Sequence, residues 1–324
     1  MIDDLLFHVA ASFSFTPDIK NRAGLRVFER IVVGGMGGSH LGADLINAIE
    51  PEHGLSVHAD YGLPPLKESA ATRTLYIASS YSGDTEETVD FAERAIEKNY
   101  SLAVIAGGGK LLSLAKEAKI PYIKLPRESF PPRTAVGLSA IALAALIRRE
   151  ALQKELSSLA KSLRPEEAGE AGNNLARTLL GRIPLVYSSR RYLSLAYYWK
   201  ITLNETAKIP AFFNYVPEAN HNEIEGFDGS SLSPRAPFHA LLLKDPADHA
   251  RVLKRMHITE EIYTKRGIPV TIIPVVGTTA CEKVFGSVLR SIALALALAK
   301  GYGNEPMETP LITRFKKRLE SQNV

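Results

Sequence analysis

Between an apolar run, Thr74-Leu75-Tyr76-Ile77-Ala78, and an amphipathic helical pattern stands Ser79-Ser80-Tyr81-Ser82-Gly83-Asp84-Thr85-Glu86-Glu87-Thr88. Hydroxyls and a glycine between a strand and a helix can hold a phosphate, because the helix start offers free N–H groups and the positive end of its dipole. The segment has no Lys or Arg of its own, so a phosphate here would be gripped by dipoles and hydroxyls. That suits a small phosphorylated metabolite. The same residues also suit a Ser/Thr cap with Glu in the first turn. A second corner, Arg30-Ile31-Val32-Val33-Gly34-Gly35-Met36-Gly37-Gly38-Ser39-His40-Leu41-Gly42-Ala43-Asp44, repeats the strand, glycine-rich turn and helix. It approaches a dinucleotide fingerprint, but His40 stands where the last glycine belongs and no acidic residue ends the next strand convincingly. It is not a nucleotide-binding Walker loop, since no Gly-Lys-Ser/Thr follows. Two such corners about one βαβ unit apart fit one phosphate-bearing ligand between them.

Phosphate loops do not make a catalyst; a base is needed. The best local candidate is Glu205 in Leu203-Asn204-Glu205-Thr206-Ala207-Lys208, near the end of an apolar-rich helix. A carboxylate there opposes the helix dipole, which makes it a candidate for a working group, although most helical Glu residues are merely solvated.

The two corners resemble those of the sugar isomerase (SIS) family, whose second loop commonly reads Ser-x-Ser-Gly-Asn/Asp-Thr. The resemblance narrows to the archaeal-type bifunctional phosphoglucose/phosphomannose isomerases. Asn204-Glu205-x-Ala207-Lys208 is similar to that family's base motif, and Glu218-Ala219-Asn220-His221-Asn222-Glu223-Ile224-Glu225-Gly226-Phe227 to its histidine motif. Pro132-Arg133 is similar to its arginine motif, and Thr309-Pro310-Leu311-Ile312-Thr313-Arg314-Phe315-Lys316 to its C-terminal segment. Phe315 stands where Leu is common, and Lys317 adjoins Lys316, so either lysine fits.

The resemblance implies an aldose–ketose isomerase that converts glucose 6-phosphate or mannose 6-phosphate to fructose 6-phosphate through a cis-enediolate. Glu205 would shuttle the proton between C1 and C2, as general base and then acid. Arg133 would steady the developing oxyanion. His221, an imidazole that can give or take a proton, would serve ring opening, with Lys316 as its partner. Thr309 matches a position tied to ring opening and to acceptance of both C2 epimers. Ser39, Ser80, Ser82 and Thr85 would hold the phosphate, and Gly38 would let the backbone come close. No cofactor and no metal is implied; His40, His53 and His58 form no chelating group with nearby carboxylates. The resemblance also implies a homodimer with His221 donated across the interface. Taken alone, His221 suits an ordinary polar turn, and Lys316-Lys317-Arg318 a solvated helical face.

The elements that must position these residues are legible from periodicity. Strands are expected over 30–33, 55–59, 74–79, 102–106 and 122–125, with helices over 40–49, 85–98 and 111–118. Pro126 to Arg133 breaks the pattern, and a long helix over 134–149 follows. Residues 154–174 are charged, contain Pro165, and read as a solvated helix or linker. The second half repeats the theme, with strands over 183–187, 211–214, 240–244 and 270–274 and helices over 194–208, 247–266 and 281–300. The expected fold is α/β, with two SIS-type domains. Each is a mainly parallel sheet flanked by helices on both faces: residues 1–150 with the phosphate loops, residues 151–324 with the Glu and His.

Composition sets outer limits. The chain has 324 residues and a formal net charge of +4, with no basic block that points to nucleic acid. Its one cysteine, Cys281, excludes an intrachain disulfide and suits a reducing, cytoplasmic setting. The first residues lack the zones of a signal peptide, and the apolar runs over 138–147 and 292–299 are too short to span a bilayer, so no membrane partner is expected. Gln153 and Gln322 are the only glutamines, a weak thermophilic signature. The competing functions are a phosphosugar-binding regulator, which would need a DNA-binding segment, and another SIS isomerase. One of the amidotransferase type would need an N-terminal cysteine nucleophile, which Cys281 cannot be.

Overall fold

The computed structural model describes residues 2–127, 131–228 and 237–321, so the expectations that touch residues 128–130 and Gln322 lie outside it. Strands β1 (Ile19–Lys20), β2 (Arg30–Gly34), β3 (Leu55–His58), β4 (Thr74–Ser80), β5 (Ser101–Ala106) and β6 (Tyr122–Lys124) form one sheet, ordered β1-β6-β5-β4-β2-β3. The short edge strand β1 runs antiparallel to β6, and the other pairings of this sheet are parallel. Strands β4 and β5 are buried at every position, as strands covered on both faces must be. Alternate residues serve opposite layers. Ile31, Val33, Leu75 and Ile77 pack toward Leu41–Ile49 and Val136–Leu146. Val32, Tyr76 and Ala78 pack toward Glu86–Glu97 and Gly109–Glu117.

Strands β7 (Ile183–Ser189), β8 (Phe212–Val216), β9 (Phe238–Lys244) and β10 (Val270–Pro274) form the second sheet, ordered β10-β9-β7-β8 and parallel throughout. Its winding repeats that of β5-β4-β2-β3. In each set of four the chain leaves the first strand, β2 or β7, for a neighbour on one side, then crosses to the other. In the first sheet this reversal falls between β2 and β4. The crevice beyond their carboxyl ends is where an open α/β sheet takes a ligand.

Two of these expectations are corrected by the helices that cover them. Residues 154–174 are neither linker nor freely solvated helix. They belong to two helices, Glu150–Ser162 and Pro165–Leu179, with Pro165 in the first turn of the second, where its missing N–H costs nothing. Each buries a stripe, Leu152, Leu156 and Leu159 in one and Ala168, Gly172, Ala176 and Leu179 in the other. The helix expected over 134–149 is shorter, Val136–Leu146, because Arg148 turns the backbone at φ 59°. A helix at Ile2–Ala11 adds an element that periodicity does not indicate.

Helix Ala280–Tyr302, at 23 residues, is longer than its apolar run suggests and would pass a length-and-composition test for a membrane span. Yet it is mostly buried within the protein, where it serves the core.

Candidate active site

The first corner is shaped by backbone proximity. Ser79 Oγ donates to the Ser39 carbonyl at 2.7 Å, and the Tyr81 N–H donates to Ser39 Oγ at 3.1 Å, so the two glycine-and-hydroxyl loops are stitched together. A Cβ on Gly38 would lie 2.8 Å from the Arg133 nitrogen, which is why a side chain is not tolerated there. In the second loop, Ser80 Oγ lies 3.0 Å from Thr85 Oγ1 and 3.5 Å from Ser82 Oγ. The Gly83 N–H donates to Ser80 Oγ at 3.1 Å. Gly83 holds φ 84°, a left-handed conformation that keeps this turn tight against Gly108.

Helix Glu86–Glu97 begins at Thr85 without a side-chain cap, leaving its first N–H groups for another acceptor. Four of the five expected phosphate-site residues, Gly38, Ser39, Ser82 and Thr85, thus follow the carboxyl ends of β2 and β4 beside the crevice there, with Ser80 buried at the end of β4 and bracing the turn. The loop is not wholly without a cation. Arg127, which sequence reasoning passes over, donates from Nη2 to the Ser82 carbonyl at 3.3 Å.

Arg133 joins this crevice to the second half of the chain. Its side chain is 3% exposed, and three guanidinium N–H groups are committed. Nε donates to Thr206 Oγ1 at 2.8 Å, Nη1 to Glu205 Oε2 at 3.2 Å, and Nη2 to the Pro306 carbonyl at 2.6 Å. Tyr198 Oη in turn donates to the Arg133 carbonyl at 2.8 Å. Burial pulls the Arg133 pKa down from its ordinary value, opposed by the Glu205 charge, yet a guanidinium stays protonated at any working pH.

Glu205 occupies a π turn, Leu203–Ala207, that ends the helix Leu193–Thr202. One widened turn rotates the carboxylate relative to a regular helix, and such turns collect at functional sites. Lys208 closes it at φ 62°. The Lys208 ammonium donates to the carbonyls of Glu205 at 2.5 Å and Glu308 at 2.6 Å. Burial, with Arg133 nearby, lowers the pKa of Lys208. Asn304 Nδ2 adds a bond to the Ala207 carbonyl at 2.9 Å. Thr206 and Lys208 carry no task in the sequence motif; the structure makes both supports of the Glu205 site.

The remaining candidates fall further out. Thr309 follows Glu308 and is thereby brought beside the Glu205 turn, where its carbonyl starts helix Pro310–Ser321. Lys316 and Lys317 are exposed on that helix, and neither is among the partners of Glu205 or Arg133. His221 ends a short turn, Glu218–His221, exposed and with no hydrogen bond to Glu205 among the described residues. His40, expected to be structural or solvated, is buried with its Nδ1 2.6 Å from Asp44 Oδ2. Among the described residues no group of three His, Cys, Asp or Glu side chains could hold a metal ion.

The corresponding corner of the second sheet is filled by the protein itself. Asp245, just past the end of β9, is 1% exposed and receives Tyr192 Oη at 2.6 Å and Lys283 Nζ at 2.9 Å.

The family model for the bacterial phospho-glucose isomerase C-terminal SIS domain matches residues 169–319. The chain is 31% identical over 302 residues to the bifunctional phosphoglucose/phosphomannose isomerase of Aquifex aeolicus, spanning 91% of this chain and 92% of that protein. It is 32% identical over 311 residues to the enzyme of the same name from Caldicellulosiruptor bescii, spanning 90% and 89%. Among solved structures, glucosamine-6-phosphate deaminase of Thermotoga maritima superposes with a TM-score of 0.70 over 95% of this chain and 96% of that one. At 13% identity the latter is a likeness of fold.

Proposed function

The chain belongs to the bifunctional phosphoglucose/phosphomannose isomerase family, and from that membership and the site's geometry we infer how its residues divide the work. It is an aldose–ketose isomerase interconverting glucose 6-phosphate and mannose 6-phosphate with fructose 6-phosphate. The observation that carries the assignment of roles is the run of contacts from the hydroxyl-lined loops through Gly38 and Arg133 to Glu205. A phosphate at one end and a carboxylate at the other suit a substrate whose inert group and reacting carbons lie several bonds apart.

In this reading residues 1–150 grip the phosphate and supply Arg133, and residues 151–324 bring the Glu and His. Glu205 removes the proton from C2 of the aldose and returns it to C1 through the cis-enediolate. Arg133, with three N–H groups already fixed, keeps two for the oxygens that gain charge. Thr309 borders the Glu205 turn and would contact the sugar near the reacting carbons. Lys316 would enter only if helix Pro310–Ser321 is repositioned or covered. The lone, buried thiol of Cys281 supports a cytoplasmic setting. A coupled assay with each hexose phosphate tests the activity: both must be turned over, and silence with both would overturn it.

Ser82→Ala and Thr85→Ala should raise KM for phosphorylated sugars by about tenfold each, with a smaller fall in kcat. The phosphate does not react, so its contacts supply mainly ground-state binding. A modest kcat loss is expected because remote binding also orients the substrate. Steady-state kinetics reads the split, and an unchanged KM in both variants would remove the phosphate from this crevice.

We place His221 in the site of a second copy, in a closed two-fold dimer. Support comes from its exposure, and from the exposed Phe212 and Phe213 on the edge strand β8 just before it. Mixing inactive Glu205→Gln and His221→Ala chains under exchange conditions should restore activity toward half per mixed dimer, since one of its two sites then carries neither lesion. Exchange verified by mass with no recovered activity would put His221 in its own chain's site.

A further inference from the structure

The motif Asn220-His221-Asn222-Glu223 carries four polar side chains, and only the histidine has been given a task. The structure shows what surrounds it. On neighbouring strands β7 and β8, Tyr187 and Asn214 are register partners. Both point their polar ends at one carboxylate: Tyr187 Oη donates to Glu223 Oε1 at 2.5 Å, and Asn214 Nδ2 donates to Glu223 Oε2 at 2.5 Å. Tyr187 is 1% exposed, and its hydroxyl also lies 3.2 Å from that of Tyr263. Burial, then Tyr263 and Glu223, raise the Tyr187 pKa far above its ordinary value, so the phenol keeps its proton and donates.

Two further ties hold the same turn. Asn220 Nδ2 donates to Thr259 Oγ1 at 2.8 Å, on the helix Ala250–Lys265. Asn222 Oδ1 accepts the Glu223 N–H at 2.6 Å and caps the following short helix. The residues on both sides of His221 are thus fastened to the sheet and to a helix, while the imidazole itself stays exposed.

We propose that Glu223 is a positioning residue: seated between Tyr187 and Asn214, it fixes the turn that presents His221 to the substrate. This rests on the reading of His221 as the ring-opening group. The proposal holds whichever copy's site the imidazole enters. Freed of this anchor, the turn keeps its backbone composition but loses its aim, and a misplacement of about 1 Å costs roughly 100-fold in a positioned reaction.

The test uses the full chain and glucose 6-phosphate. Glu223→Gln keeps an acceptor for Tyr187 but turns an NH2 toward the Asn214 NH2, donor against donor. It should lower kcat about 10- to 100-fold with KM within about twofold. The paired exchange Asn214→Asp with Glu223→Gln reverses the polarity of that contact and retains one negative charge in the cluster. The carboxylate introduced on β8 can still accept the Tyr215 N–H that Asn214 Oδ1 now accepts at 2.8 Å. This double variant should recover most of the lost kcat. Combining Glu223→Gln with His221→Ala should be no slower than His221→Ala alone, because the anchor matters only through the imidazole.

If Glu223→Gln does not fold, Tyr187→Phe removes one donor and should show the same kcat loss and the same non-additivity. Wild-type turnover in Glu223→Gln beside an inactive His221→Ala would overturn the positioning role and leave the histidine in place. Losses that multiply in the combined variant, or a polarity exchange that rescues nothing, would also overturn it. Full activity of His221→Ala would instead overturn the underlying reading.

Discussion

Glu205→Gln should still bind glucose 6-phosphate and should turn it over about 10³-fold or more slowly. A single base serves the C1–C2 transfer, and removal of an essential general base costs on the order of 10²–10⁴-fold or more. The amide is isosteric and cannot take a proton. Its geometry is retained because the turn does not depend on the carboxylate alone. Lys208 holds the Glu205 carbonyl, Asn304 holds the Ala207 carbonyl, and Asn204 Nδ2 reaches the Ile209 carbonyl at 2.9 Å. The Gln oxygen can still accept from Arg133. Stopped turnover with a dissociation constant close to the native one, measured by calorimetry, is the expected result. Native turnover would remove Glu205 from the chemistry.

Arg133→Lys should lower kcat by about 10²-fold and also lower the melting temperature. The substitution keeps the charge and loses the fork. An ammonium on a flexible stem cannot reach Thr206, Glu205 and Pro306 together as the planar guanidinium does. The Pro306 carbonyl and Thr206 hydroxyl would lose a buried donor, a cost of about 1–3 kcal/mol for each group left unsatisfied. The catalytic loss is of the size seen when one donor to a developing oxyanion is removed, about 10²–10³-fold. Kinetics and thermal melting on the same sample separate the two effects. An unchanged kcat with a lowered melting temperature would make Arg133 a structural link and no more.

Both variants probe contacts that no local pattern announces. The phosphate loops are legible because their chemistry is local: a strand, a turn rich in glycine and hydroxyls, and a helix start occupy a short stretch of consecutive residues. Parallel strands are legible for the same reason, as apolar runs such as Thr74–Ser80 and Ser101–Ala106 that are buried at every position. Glu205 stands out from its awkward place at a helix end, and the family's motifs supply its companions by their order along the chain. The π turn beneath it is not legible, since helical periodicity continues across 194–208 without a visible break. Residues 154–174 mislead because a half-buried helix needs only a few apolar positions, and Pro165 reads as a breaker until it is found in a first turn.

The class of fold, the two loops and a short roster of residues fit for proton transfer therefore follow from the chain's residues without any coordinates. They depend on backbone preferences and on side chains within a turn or two of one another. Which of those residues meet is a matter of packing. Arg133 finds Glu205 across 72 positions and the Pro306 carbonyl across 173. Tyr187 finds Glu223 across 36. Lys316 is a partner of neither Arg133 nor Glu205, although it belongs to the same set of motifs. A buried guanidinium must satisfy its donors with whatever acceptors the packing of two sheets brings within reach, and that choice is made by the whole folded chain at once.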